Sequence, residues 1–536
     1  MVNINDVLDG HVALEVECVD RLYLNAYVPI LQTSPQVKRF LEVHLGNPVP
    51  SPAIIEKIGN RFRREVKSFA AINQIPVLAL KKPDRSRWDD RKLDHVRPYL
   101  QRAEREGRFG VVAIIVAQEF QWVFNASKRT GGAGGIWFEY AKAERRVGIY
   151  YFYVLDPEFG AGFIKICTYF PYPAKVWLNG HEWAKRQADH VGITYTALAN
   201  GFATCDQHEQ LQAICDRFGP GDVQGFFDRW IDVVPTPFTA ADRDAGYWWE
   251  LSMRQVEVSK TLVFDDPRRA RGFFEALVTD NIAIGRPEAV AVVFARQVRR
   301  TTREPFSTRV FTTGTEVMID FRYKHSRVKQ YLKEGRALRI ETVINKPSDI
   351  GILARLEHLP ELVAKARAVN GRLLTVERAG QGCAIGSALF ERIHQPYHRE
   401  GQRTGALRFG DPRAMALAGA LCCIVHAVTG FTNKSLRGLV AGLYGHDYTT
   451  NQMTYDLRRL RLHGLIERVP HTNTYTITAD GTRVAVFYSK VHNRLLRPLL
   501  AAPNQPPAPI ELRRAIGTID RIINDYATNA RLATAA

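Results

Sequence analysis

Short runs of alternating apolar and polar residues recur along much of the chain, and they limit its fold more than any other feature. "RVGIYYFYVLD", "GFIKICTYF", "AKVWLNG", "QVEVSKTLVF", "EVMIDFRY" and "RALRIETVIN" each read as a half-buried strand. Helical runs lie between them. Ser51-Pro52 has the form of an N-cap followed by proline at the first helical position, and Ile55, Ile58, Phe62 and Phe69 follow at helical spacing. Irregular alternation of the two element types predicts an α+β protein. A chain of 536 residues is too long for one core. We therefore expect a multidomain protein with mixed α/β N-terminal and central domains: an N-terminal α/β domain over residues 1–127, a β-rich domain over 136–240 and a basic α+β domain over 246–400.

Charge is the second constraint. Lysine and arginine exceed aspartate and glutamate by 18. The excess is concentrated in "FRYKHSRVKQYLKEGRALRIETVINK", where Lys324, Arg327, Lys329, Lys333, Arg336 and Arg339 face only Glu334 and Glu341. Like charges this close repel, so fold stability gives no reason for them, whereas a phosphate-bearing partner does. We expect a helix from about Ser326 to Glu334 that sets Lys329 and Lys333 on one face as a backbone-binding stripe. The seven cysteines include no C-x-x-C pair, which argues against a thiolate zinc site and fits a reducing compartment. No signal peptide is evident, and the most apolar run, "AMALAGALCCIVHAVTGF", is short for a bilayer span. A cytoplasmic protein with no membrane partner is the expectation.

Residues 412–500 carry the clearest pattern. Helical "PRAMALAGALCCIVHAV", "NKSLRGLVAGLYG" and "NQMTYDLRRLRLHG" are followed by two strands around a short tip and a closing helix. In the third helix Met453, Leu457 and Leu460 form an apolar stripe, while Asn451, Tyr455, Arg458 and Leu462 fall opposite with Arg459 beside them. Asn and Arg on a free helix face are the side chains that read base edges in a major groove. Arg468 at the strand base, and His471 and Asn473 at the tip, extend this surface. The phrase "LRRLRLHGLIERV…YTITADGTRVA" resembles the recognition helix, wing and final helix of MarR- or PadR-like DNA-binding domains, which implies a winged helix at 412–500 that contacts DNA. A proline-rich linker at 503–509 then leads to a helix over 510–536 whose apolar face offers a homodimer contact.

The chemistry is less marked. Asp156, Glu158, Glu182, Asp320 and Glu341 are the carboxylates that could converge on Mg²⁺ in a nuclease, each with a plain structural reading beside it. Asp156-Pro157 forms turns, Glu182 suits a helix start, and Glu341 can pair with Arg339. Tyr331 lacks the paired histidines of a strand-transferring tyrosine enzyme, and "YWW" at 247–249 suits a core more readily than a stack of bases. No zinc spacing, dinucleotide fingerprint or kinase signature occurs. The expectation is a nucleic-acid-binding protein, DNA favoured over RNA. It is either a Mg²⁺-dependent nuclease or strand-transfer enzyme, or a non-catalytic DNA-binding regulator with a large sensing or recruiting N-terminal region.

Overall fold

The computed structural model describes residues 4–80, 90–130, 136–284, 307–313, 316–323, 325–380, 387–399, 401–422, 430–470, 472–491 and 518. They belong to two compact units, one running to Arg378 and the other beginning after it. The chain is mixed α/β, with one large mixed sheet.

The first unit is organised by that sheet. Its strands are β1 (Val12–Tyr27), β2 (Val77–Ala79), β3 (Gly110–Thr130), β4 (Ile136–Asp156), β5 (Gly160–Cys167) and β6 (Ala174–Asn179). A separate pair, β7 (Tyr195–Leu198) and β8 (Gly201–Cys205), comes next. β9 (Glu250–Phe264), β10 (Ser307–Thr313), β11 (Glu316–Tyr323), β12 (Ser326–Lys333) and β13 (Ala337–Ile344) complete the sheet. Its order is β10-β11-β12-β13-β9-β1-β6-β5-β4-β3-β2. Only the β2–β3 pair is parallel among the described strands.

The divisions expected at 127–136 and 240–246 therefore fall inside one continuous sheet. β3 and β4 pair from one side of the first boundary to the other, and β1 joins β9 to β6. The β3–β4 pair is a local hairpin, but strand-by-strand reading cannot anticipate the join through β1, which is made by residues far apart in sequence.

Helices clothe both faces. Helix α1 (Pro52–Ile72) opens as expected, with Ser51 Oγ accepting from the Ala53 N–H at 3.3 Å. Its Ile55, Phe62 and Val66 share a core with Phe152, Val154, Ile164 and Val176. Each such side chain contributes about 1.5–3 kcal/mol of burial. The alternate residues of β4, Tyr151 and Tyr153, point the other way and pack with Val96 and Leu100 of α2 (Asp90–Arg105). Helix α3 (Gly180–His190) starts where Asn179 Oδ1 accepts from the N–H groups of His181 and Glu182. A Cβ on Gly180 would lie 2.2 Å from Val19 O, so only glycine lets this helix start meet β1. Helices α4 (His208–Arg217), α5 (Pro220–Ile231) and α6 (Leu359–Gly380) complete the elements needed below. "YWW" takes the core role: Tyr247 and Trp249 are buried, with Trp248 packed at their edge.

In the second unit, α7 (Ser387–His394) and the hairpin β14 (Tyr397–Arg399) and β15 (Gln402–Thr404) precede α8 (Pro412–Leu421), β16 (Phe431–Thr432), α9 (Asn433–Tyr444) and α10 (Thr450–Leu462). β17 (Ile466–Arg468), β18 (Thr474–Ile477) and α11 (Ala479–Val491) follow, and the sheet order is β16-β18-β17. Met453, Leu457 and Leu460 enter a core with Leu417, Leu436, Ile466 and Tyr488. The unit starts earlier than the expected division at 400–412, because Ile393 and Leu407 belong to the same core. A Cβ on Gly481 would sit 1.9 Å from Leu465 O, so glycine is required where α11 meets the turn before β17.

Lys324, His471, the linker at 503–509 and the helix over 510–536 lie outside the described residues, apart from position 518. No helix among the described residues is long and apolar enough to cross a membrane.

Candidate functional site

The basic stretch is a strand hairpin, not a helix. Residues 326–333 form β12, with Asp320, Lys329, Glu341 and Ser259 in one row across β11, β12, β13 and β9. Tyr331, Arg339 and Thr261 form the next row, and all of these side chains share one face. Period two therefore wins over the helical reading of Lys329 and Lys333.

Arg339 is fully buried, and each of its N–H groups has an acceptor. Nε donates to Glu341 Oε1 at 3.1 Å. One terminal nitrogen donates to Asn200 O and Thr261 Oγ1, both at 2.9 Å. The other donates to Asp20 Oδ2 at 2.9 Å and His181 Nε2 at 2.7 Å. Lys329, also buried, reaches Glu341 Oε2 at 2.8 Å and Glu257 Oε2 at 3.7 Å. Tyr331 donates its hydroxyl to Glu341 Oε1 at 2.7 Å. The β7–β8 turn closes the network from above: besides Asn200, the Ala199 N–H donates to Glu334 Oε1 at 2.7 Å.

These contacts correct the charge argument. Lys329 and Arg339 are neutralised within the fold by Asp20, Glu257 and Glu341, two of which lie far from the basic stretch in sequence. They do not face a phosphate. Arg327, Lys333 and Arg336 remain partly exposed, and burial together with Arg339 lowers the pKa of Lys333.

Asp20, Glu257 and Glu341 are also the group among the described residues whose carboxylates lie close enough, within 4.8 Å, to share a cation. Two cations already fill that role. Burial opposes the charge of Asp20, but Arg339 and Arg21 outweigh it and hold the carboxyl at about 2. Burial pushes Glu257 up, against the pull of Lys329. With Arg21 beside Asp20, three cations face the three carboxylates. The donor set thus balances without Mg²⁺, and an incoming ion would have to displace a guanidinium whose donors are all used.

The other proposed catalytic carboxylates lie elsewhere. Asp156 Oδ1 accepts from the N–H groups of Glu158 and Phe159, which is the turn-forming role. Its Oδ2 accepts from Arg229 and from Trp230 Nε1, each at 2.7 Å, while Glu158 takes the other nitrogen of Arg229 at 3.0 Å. Together they clip α5 to the β4–β5 turn. Glu182 sits in the first turn of α3 and pairs with Lys185 at 2.8 Å. Asp320 is buried in the Lys329 row but is not part of the three-carboxylate group. Asp20 and Glu257 were not singled out by sequence: they share their strands with other acidic residues, Glu15 and Glu17 on β1 and Glu250 on β9, and no spacing sets them apart.

The second candidate surface is the outer face of α10. Asn451, Tyr455 and Arg458 are exposed there, as expected, with Thr454 and Arg461 on the same side. Two neighbours depart from expectation. Leu462 is buried, and Arg459 is half-buried, donating to Gly405 O at 3.1 Å and to Asp456 Oδ1 at 3.4 Å. The cause is the β14–β15 hairpin and the turn after it, which lie along this flank of α10. Gln402 Oε1 accepts from Arg458 Nε at 3.1 Å, and His463 Nε2 meets Gly405 O at 2.8 Å. Arg468 is exposed and closes its own turn, donating to Thr472 O at 2.8 Å and Asn473 Oδ1 at 2.9 Å. Behind the face, fully buried Asp456 anchors the helix by accepting from Arg413 Nε at 2.8 Å and from the Tyr448 hydroxyl.

No family model matches the chain, and no curated protein or solved structure matches it.

Proposed function

We propose that the chain is a nucleic-acid-binding protein whose second unit is a winged helix that reads duplex DNA with α10. The observation that carries this reading is one helix face. Asn451, Tyr455, Arg458 and Arg461 are exposed along it, while Met453, Leu457 and Leu460 hold its back in the core. The element order helix, short strand, helix, helix, strand, strand supports the reading, as does the three-stranded sheet β16-β18-β17. The short connection between α9 and α10 is that of a helix-turn-helix pair. Arg399, Arg403 and Arg408, exposed on and after the hairpin, widen the positive surface beside α10, in keeping with a chain of net charge +18.

The same contacts favour a binding protein over a Mg²⁺-dependent nuclease. The one described carboxylate group fit for a metal is closed by Arg339 and Lys329, so the regulator reading has the better support.

The test is equilibrium binding of the full chain to duplex DNA and duplex RNA at fixed salt. Arg458→Ala should weaken DNA binding by about 1–3 kcal/mol if the guanidinium makes a bidentate base contact. Its fold should be intact, because Arg458 is exposed. Unchanged affinity would remove α10 as the reading element.

A further inference from the structure

We propose that Lys165, Lys175 and Arg254, on strands of the large sheet in the first unit, form a binding site for a phosphate group. The site is independent of the C-terminal reading and uses none of its residues.

Lys165 of β5 and Lys175 of β6 are direct antiparallel partners. Like charges set opposite one another across a strand pair destabilise it. Arg254 of β9 joins them. Lys165 Nζ, Lys175 Nζ and the Arg254 guanidinium lie 5.8, 5.7 and 5.6 Å from the centre of the Tyr23 ring. Three cations thus converge on one aromatic side chain from three different strands.

Internal charge answers only part of this. Glu119 pairs with Lys165 at 2.8 Å and also serves Lys92, and the Tyr151 hydroxyl accepts from Lys165 at 3.0 Å. Among the described residues, neither Lys175 nor Arg254 has a carboxylate partner or a hydrogen-bond acceptor. The Tyr23 ring face offsets some of the repulsion, as aromatic faces do for cations, but it adds no net charge. Burial, then Lys165 and Arg254, lower Lys175 to about 7. An anion at this spot would reverse the last two effects.

The contrast with Arg339 is instructive. There the fold supplies buried carboxylates to match each buried cation. Here it places one carboxylate, Glu119, among Lys92, Lys165, Lys175 and Arg254. Lys175 is half-buried and Arg254 exposed, so a ligand can reach them. Lysine point charges with a forked guanidinium suit a multiply charged phosphate better than a single carboxylate.

The neighbouring row suggests what carries the phosphate. Tyr23, Trp177 and Phe163 are cross-strand partners on the same face, two residues along from the lysines. Trp177 is half-buried and stacks on Phe163 at 5.9 Å with planes 8° apart. An aromatic platform beside a cation cluster fits a nucleotide unit, whether free or within a strand.

The experiment measures binding of inorganic phosphate, a 5′-deoxynucleoside monophosphate and a single-stranded oligonucleotide, in phosphate-free buffer. The full-length protein is compared with its Lys175→Gln and Arg254→Gln variants. Each substitution should weaken binding about tenfold or more. Lys175→Gln should hold or raise the melting temperature, since it removes a like-charge neighbour. A mononucleotide bound as tightly as the oligonucleotide identifies a free nucleotide as the source. An oligonucleotide bound more tightly, with the salt slope reduced by about one unit per cation removed, identifies a strand. Equal binding by wild type and both variants, or no binding of any probe by wild type, overturns the proposal. Neither result bears on Arg458, whose effect is read on duplex DNA.

Discussion

Arg339 and Asp20 are 319 residues apart in sequence and meet at 2.9 Å inside the first unit, both sealed from solvent. The contact ties β13 to β1 across β9, and Glu341, Asn200, Thr261 and His181 take the remaining donors of the guanidinium. Such a pair adds little over a well-packed apolar replacement, but removing one partner strands the other charge. Arg339→Ala should therefore lower stability by about 3–5 kcal/mol. Asp20→Asn should cost less, because Glu341 still faces Arg339. Urea unfolding of the two variants and the double variant would measure the coupling. Additive losses would mean that the two groups do not act as a pair.

Strand positions in this unit are legible in sequence because alternation is a local signal. β4, β5, β6, β9, β11 and β13 all fall on alternating runs, and Ser51 caps α1 as its position suggests. The fate of the charges is not legible. Lys329 and Lys333 stand four apart, which suits a helix, but Arg327, Lys329, Tyr331 and Lys333 stand two apart, which suits a strand. Charge alone cannot choose between the periods. Glu341, within the stretch, is a readable partner of Arg339, but Asp20 and Glu257 come from β1 and β9, and no spacing within the basic stretch points to them. On α10 the inward stripe was readable, whereas the burial of Leu462 and Arg459 depends on a hairpin lying before the segment that sequence marked as a module.

Lys329 consequently has a different role from that of a phosphate contact. Lys329→Ala should leave the salt dependence of nucleic-acid binding at its wild-type slope, because the ammonium is committed to Glu341 and Glu257. Stability should fall by several kcal/mol, roughly the 3–5 expected when a buried charge loses its partner. Titrations at several salt concentrations and a thermal melt separate the two outcomes. A flattened slope with unchanged stability would return Lys329 to the surface.

In the second unit, Asp456 is the corresponding buried charge, held by Arg413 at 2.7 Å and by the Tyr448 hydroxyl. Asp456→Ala should loosen α10 at a cost of about 3–5 kcal/mol. Duplex binding should weaken with it, although Asp456 faces inward. Arg458→Ala should weaken binding without destabilising. Comparing the two variants by hydrogen exchange over 450–462 distinguishes a helix that is released from one that has lost only a contact.

Glu377 supplies a pH dependence whose sign can be worked out. It is buried on α6 and accepts from Gln330 Nε2 at 2.9 Å. Burial raises its pKa from the ordinary 4.5 to about 8, with Gln330 opposing. The folded state therefore binds a proton that the unfolded state has released across pH 4.5–8. Stability should be highest at the acid end of that window and fall as pH rises through it, by an amount on the order of a few kcal/mol. Asp20 has the opposite sign, because its folded value of about 2 lies below the ordinary 3.8. Its contribution is complete above that range and is lost only as pH falls toward 2, so it cannot mask the decline. Glu377→Gln keeps a hydrogen-bonding group of the same shape and removes the titration. Melting temperatures between pH 5 and 8 should slope downward in the wild type and be flatter in the variant, and parallel curves would show that Glu377 is ionised in the fold.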